Sequence, residues 1–238
     1  MKDIMMAKLS LRILRKGIIA QLLCCLVFGC VNHSNKTEGI IINENTEWSH
    51  SWIVNTNDTI LPKVLIVGDS HVERYYGVVA KKLGAKASCS KFTTSKSLGD
   101  PVFIKQLESV LMLCDFDMIS FNNGLHGADY PIEEYAEFVP IAYELLRKNA
   151  KKSMIWINST AIREKNNINE FAPRNQQIIE RNKFLSDFTH DNNITLVDFY
   201  SKTANNVEYY SNDGVHFNNE GVNVEAELVT QEILEILN

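Results

Sequence analysis

The stretch KVLIVGDSHVERYY, from Lys63 to Tyr76, decides how the rest of the chain is read. Four apolar residues, Val64 to Val67, stop abruptly at Gly68-Asp69-Ser70-His71, and a helical pattern follows. A short, wholly apolar run that passes straight into a helix is the building unit of a parallel sheet buried on both faces. Gly68 permits a tight turn that a residue with a Cβ would resist. Ser70 then falls at or just before the first helical turn, where unpaired N–H groups favour negative charge. Two roles are open to it, a helix N-cap and a nucleophile.

Outward from this stretch the same alternation continues. Apolar runs recur at Ala87–Phe92, Met118–Phe121, Met154–Ile157 and Thr195–Phe199. Between and after them, helical spacing covers 72–83, 101–114, 132–149, 171–191 and 219–237. Pro101 and Pro131 suit helix starts, and Pro140 predicts a kink in the third helix. The expected fold is α/β: a flavodoxin-like three-layer α/β/α sandwich around a five-stranded parallel sheet, with its ligand crevice beyond the carboxyl ends of the strands. Ser70 lies on that crevice edge.

The second informative stretch is SNDGVHFNNEG, just before the last helix, with Asp213 three residues ahead of His216. A serine nucleophile needs a base, and the base needs an acceptor on its other ring nitrogen. Asp213 and His216 can supply both functions from one loop. The residues around Ser70 do not form the G-x-S-x-G elbow of α/β-hydrolases.

Over about residues 62–237 the chain resembles the SGNH (GDSL-type) hydrolases. Gly68, Asp69 and Ser70 match that family's first block, Asp213 and His216 its last, and the order Ser, Asp, His agrees. The resemblance implies an ester hydrolase with Ser70, His216 and Asp213 as catalytic triad and no cofactor. It also implies an oxyanion hole built from the Ser70 N–H, a glycine after the second strand, and a donor after the third. Gly99 in SKSLGDP is assigned the second place, in preference to Gly84, and it also reads as a plain turn glycine. The third block departs from the family pattern. In SFNNGLHGAD, His126 stands where an asparagine is expected, so Asn122, Asn123 and His126 are all candidate donors. Asp69, Asn158 and Arg163 are candidate substrate-binding residues. Arg181 and Asn182, within a helical segment, read as a solvated face.

Composition narrows the partners. The 238 residues are 45% hydrophobic and 22% charged, with a net charge of −5. Residues 1–29 carry Lys2, Lys8, Arg12, Arg15 and Lys16 against Asp3, or +4, which leaves −9 for the remainder. No basic stripe follows, so nucleic acid is not an expected partner. The basic start, the apolar run IIAQLLCCLVFG and then Cys30 read as a lipoprotein signal peptide over 1–29, with Cys30 lipidated. Residues 30–60 read as a tether, with Trp48 and Trp52 packing at its end, and 61–238 as the hydrolase domain. The expected location is the bacterial cell envelope, with a lipid anchor as the membrane contact. Cys89 and Cys114 read as buried thiols, and no metal-ligand spacing is present. The expected substrate is an acylated carbohydrate, above all an O-acetyl ester. A lipase or thioesterase, a sugar acyltransferase, and a non-catalytic glycan-binding lipoprotein are the alternatives.

Overall fold

The computed structural model describes residues 42–128 and 130–238. The segment read as a signal peptide, Cys30 and the first part of the segment read as a tether lie outside the described residues.

The strands are β1 (Ser49–Trp52), β2 (Lys63–Gly68), β3 (Ser88–Thr94), β4 (Phe116–Phe121), β5 (Ala150–Ile157), β6 (Arg163–Glu164), β7 (Asn167–Phe171) and β8 (Thr195–Val197). The helices are α1 (Ser70–Leu83), α2 (Pro101–Leu111), α3 (Ile132–Asn149), α4 (Asn175–Asp191), α5 (Phe199–Thr203) and α6 (Asn219–Leu237). The main sheet has the order β1-β3-β2-β4-β5-β8. Its parallel part, β3-β2-β4-β5-β8, is the flavodoxin-like order expected from the sequence. The strand count is six, not five. The sixth is β1, which pairs antiparallel with β3 from Ser49 opposite Thr94 to Trp52 opposite Lys91. All four of its residues are exposed, so no apolar pattern marks it in the stretch read as tether. It covers the outer edge of β3, which would otherwise offer unpaired backbone groups to another chain.

Alternate side chains of each strand enter opposite layers, as the two-residue period requires. Leu65, Val67, Ile119, Phe121 and Trp156 face α2, α3 and α4. Val64, Ile66, Met118, Ile155 and Ile157 face α1 and α6. Val64 to Val67 are wholly buried, which explains the unbroken apolar run. Cys89 packs in the second layer and Cys114 against the first, and both are free. Cys114 is only partly buried. Pro101 starts α2 behind the N-cap Asp100, and Pro131 caps α3. Pro140 sits within α3, which continues to Asn149 as one helix. Pro140 is itself exposed on the outer side of the helix. The segment read as helix from 171 begins at Asn175, because β6 and β7 form a small hairpin ahead of it. Trp52 is exposed, and Trp48 lies against the His50 ring at 5.4 Å, so neither tryptophan joins the core.

Candidate active site

Ser70 is placed by the strand-to-helix junction. Gly68 is required there by close approach, with no positive φ involved. A Cβ at 68 would collide with Val72 and crowd the Asn122 carbonyl. The helix cap is Asp69, whose Oδ1 accepts from the His71 N–H at 2.9 Å. The capping role is therefore filled by Asp69, and the Ser70 hydroxyl is left for another partner.

That partner is His216, whose Nε2 lies 2.9 Å from Ser70 Oγ. Its Nδ1 lies 2.8 Å from Asp213 Oδ2. Nδ1 faces a carboxylate and so carries the proton, which leaves Nε2 to accept from the serine hydroxyl. The loop is shaped to hold this. Asp213 Oδ1 accepts from the Val215 and His216 N–H groups, both at 2.9 Å. Gly214 between them has φ +74°, and a side chain there would collide with the Arg163 carbonyl. Burial pushes the Asp213 carboxyl up, but hydrogen bonds from the His216 ring and the two backbone N–H groups outweigh it and hold it below the usual carboxylate range. The buried Phe217, edge-on to Tyr210 at 4.7 Å, pins the far end of the loop.

The remaining candidates divide. Gly99 occupies the turn before α2, where a side chain would press on the Glu134 carboxylate of α3. Asn122 directs its amide to the Ile157 and Asn158 carbonyls at 3.0 and 3.3 Å. It ties β4 to β5 and does not supply a donor at the crevice. Asn123 is also buried, and its Nδ2 gives one hydrogen bond, 3.0 Å to the Lys96 carbonyl. His126 Nδ1 lies 3.0 Å from Glu44 of the segment preceding β1. Asp69 is buried as a cap, so its substrate-binding assignment gives way to a structural one. Asn158 bridges Asp198 at 2.7 Å and the Tyr200 N–H at 3.0 Å. It lines a cleft of about 230 Å³ to which Ser70, Asp213 and His216 do not contribute.

Arg163 is buried, not presented to substrate. Its guanidinium donates to the Ile168 and Ala204 carbonyls between the Phe171 and Tyr210 rings. Its N–H donates to the Gly214 carbonyl at 2.7 Å. It fastens the His216 loop to the β6–β7 hairpin. Arg181 is not on a solvated face either. It is 2% exposed, and it donates to the carbonyls of Gly124, His126, Gly127 and Tyr130. It thereby shapes the loop after β4. A cation on the inward side of α4 could have been found in the sequence, but only once the helix phase is known.

His71 escaped the sequence reading. It is 3% exposed, with Nδ1 2.6 Å from Glu225 Oε1 on α6 and Nε2 3.1 Å from the Val215 carbonyl. A glutamate among the buried positions of α6, beside Ala226 and Val229, was the available signal. Among the described residues no group of three or more His, Cys, Asp or Glu side chains could hold a metal ion.

A scan against protein-family models returns no match, and a search of curated proteins returns none. Solved structures do match. A GDSL-like lipase from Bacteroides thetaiotaomicron superposes with a TM-score of 0.56 at 19% identity, over 73% of this chain and 88% of that one. An acetyl xylan esterase superposes at 0.58 and 18%, over 72% and 99%. A variant of an acetyl-xylooligosaccharide esterase from Geobacillus stearmophilus superposes at 0.57 and 14%, over 74% and 94%. The sheet order, the layers and these superpositions together establish that the chain has the fold of the SGNH hydrolases.

Proposed function

We propose that the protein is a serine ester hydrolase that removes O-acetyl groups from carbohydrate. The observation that carries this reading is the continuous relay from Ser70 Oγ to His216 Nε2 at 2.9 Å and from His216 Nδ1 to Asp213 at 2.8 Å. Ser70 Oγ attacks the ester carbonyl, and His216 takes its proton and passes it to the departing alcohol. Asp213 stays ionised and steadies the imidazolium. Water then repeats the sequence on the acyl-enzyme and releases acetate. The Ser70 N–H at the start of α1 is one oxyanion donor, Gly99 N–H a second, and Asn123 a third. Asn123 is preferred to Asn122 because the Asn122 amide already serves two carbonyls of β5 and the residue after it. Loss of one such donor lowers kcat by about 10²–10³.

Support for a carbohydrate ester comes from the fold neighbours named as acetyl xylan and acetyl-xylooligosaccharide esterases. The leader over 1–29 and Cys30 complete the proposal. The enzyme is held by lipid at the bacterial envelope, and the residues between Cys30 and the segment that leads into β1 reach from the anchor to the domain.

Ser70→Ala tests the reading. Hydrolysis of 4-nitrophenyl acetate is expected to fall by about 10³-fold or more, with an unchanged melting temperature. Turnover equal to that of the unaltered protein would overturn it. Esters of increasing acyl length separate an acetylesterase, fastest on acetate, from a lipase.

A further inference from the structure

His71 follows the nucleophile directly, yet it faces away from substrate and into the protein. Both of its ring nitrogens meet acceptors. Glu225 Oε1 lies 2.6 Å from Nδ1, and the Val215 carbonyl lies 3.1 Å from Nε2. A carbonyl oxygen can only accept, so a bare Nε2 at that distance would set one lone pair against another. The Thr160 hydroxyl, 3.4 Å from Nε2, rotates to suit and does not change this. Nε2 therefore carries a proton, and with Glu225 ionised Nδ1 carries one as well, which makes the ring an imidazolium.

The position of this cation matters more than its pairing. The His71 ring stacks on the His216 ring, with centroids 5.8 Å apart and planes at 24°. The carbonyl it holds belongs to Val215, inside the Asp213–His216 loop. The geometry points to His71 as a positioning residue, cationic at neutral pH and bolted to α6 by Glu225, that fixes the base loop and sets a positive charge against the His216 ring. This rests on the proposal that His216 is the base of an ester hydrolase.

The charged and titratable groups around the His71–Glu225 pair are Asp69, Arg74 and Tyr75 from α1 and its cap and His216 from the loop, whose own carboxylate partner is Asp213. Burial alone would lower the His71 pKa, but the Glu225 and Asp69 carboxylates and the Val215 carbonyl together outweigh it and raise it to about 9. Burial pushes the Glu225 carboxyl up, against the pull of His71. Tyr75 is buried and held neutral. Glu225 balances the charge of His71 overall, but it does so from the α6 side, while the His71 ring is stacked on His216.

The test is long-range ¹H–¹⁵N correlation NMR of the full-length chain with ¹⁵N-labelled histidine rings. The His71 signals are assigned by through-bond correlation from the His71 backbone to its ring. At pH 7 both ring nitrogens of His71 should show the protonated pattern, and a neutral single tautomer would overturn the proposal. This readout needs no variant that folds and no activity. The second arm follows the His216 titration in Ser70→Ala with and without His71→Gln. Removing the cation should raise the His216 pKa by about 0.5 to 1 unit. In the active protein the acid limb of kcat/KM should move up by the same amount. An unmoved or lowered His216 pKa in a folded variant would refute the electrostatic role. Retained hydrolysis in Ser70→Ala would remove the esterase reading alone, since the NMR arms read His71 and His216 directly.

Discussion

At the scale of single residues, the site depends on which polar groups are already occupied. Asp69 takes the cap of α1, so Ser70 keeps a hydroxyl free for His216. Asp213 does two jobs with two oxygens. Oδ1 takes the backbone N–H groups of Val215 and His216, and Oδ2 takes the imidazole. Asp213→Asn separates these roles. The amide oxygen can keep the loop folded while the negative charge beside the His216 ring is gone. We expect kcat for 4-nitrophenyl acetate to fall by about 10²–10⁴ with little change in melting temperature. A fall of less than tenfold would mean that Asp213 is only a loop-forming residue. At this scale the sequence was legible for Ser70, Asp213 and His216, because their spacing and order are visible without a fold. It was not legible for Arg163, Arg181 and His71, because a buried cation and a solvated one look the same in one dimension.

At the scale of elements, His216 is carried by a loop whose shape is set elsewhere. The turn 213–216 is clamped from outside by the N–H of Arg163 on the Gly214 carbonyl at 2.7 Å. Gly214 itself lies in the left-handed region at φ +74°. Gly214→Ala incurs about 1–2 kcal/mol for that backbone conformation. The collision with the Arg163 carbonyl adds to it. We expect the melting temperature to drop by at least about 2–4 °C. Hydrolysis should slow by about tenfold or more as His216 is moved off Ser70. Equal stability and equal rate would show that the loop tolerates a shift the structure makes look prohibitive. The β6–β7 hairpin that supplies the clamp was not anticipated. Its strands are two and five residues long, and mostly exposed positions hide any alternation.

At the scale of the whole molecule, the buried His71–Glu225 pair makes stability depend on pH. The His71 pKa is raised from 6.5 to about 9 on folding, so the folded state holds a proton that the unfolded chain has released. Its contribution is complete below pH 6.5 and is lost as pH rises through 9. The carboxyls of Glu47, Glu73, Asp198 and Asp213 are shifted the other way, held down by hydrogen bonds and cations against the upward push of burial. Their contribution is present at neutral pH and disappears in acid, as pH falls through their folded values. Thermal unfolding should therefore show a maximum on the acid side of neutrality and a falling limb between pH 6.5 and 9. His71→Gln should flatten that limb. A melting temperature that climbs across the same interval would contradict the assignment. The Cys89 thiol, pushed by burial to about 12, weakens the fold only at still higher pH.

By itself, the sequence determined the alternation of strands and helices, the parallel core and the two blocks that carry Ser70, Asp213 and His216. These are local signals: a run of buried residues, a helical period, a glycine at a tight junction, a short spacing. Only the tertiary structure decided that β1 joins the sheet, that Arg163 and Arg181 bind carbonyls in the interior, and that His71 meets Glu225 across 154 positions of chain. The reason is physical. The apolar pattern records how deeply a residue is buried, whereas a buried polar side chain is defined by a partner, and that partner is supplied by whichever distant segment the packed layers bring within about 3 Å.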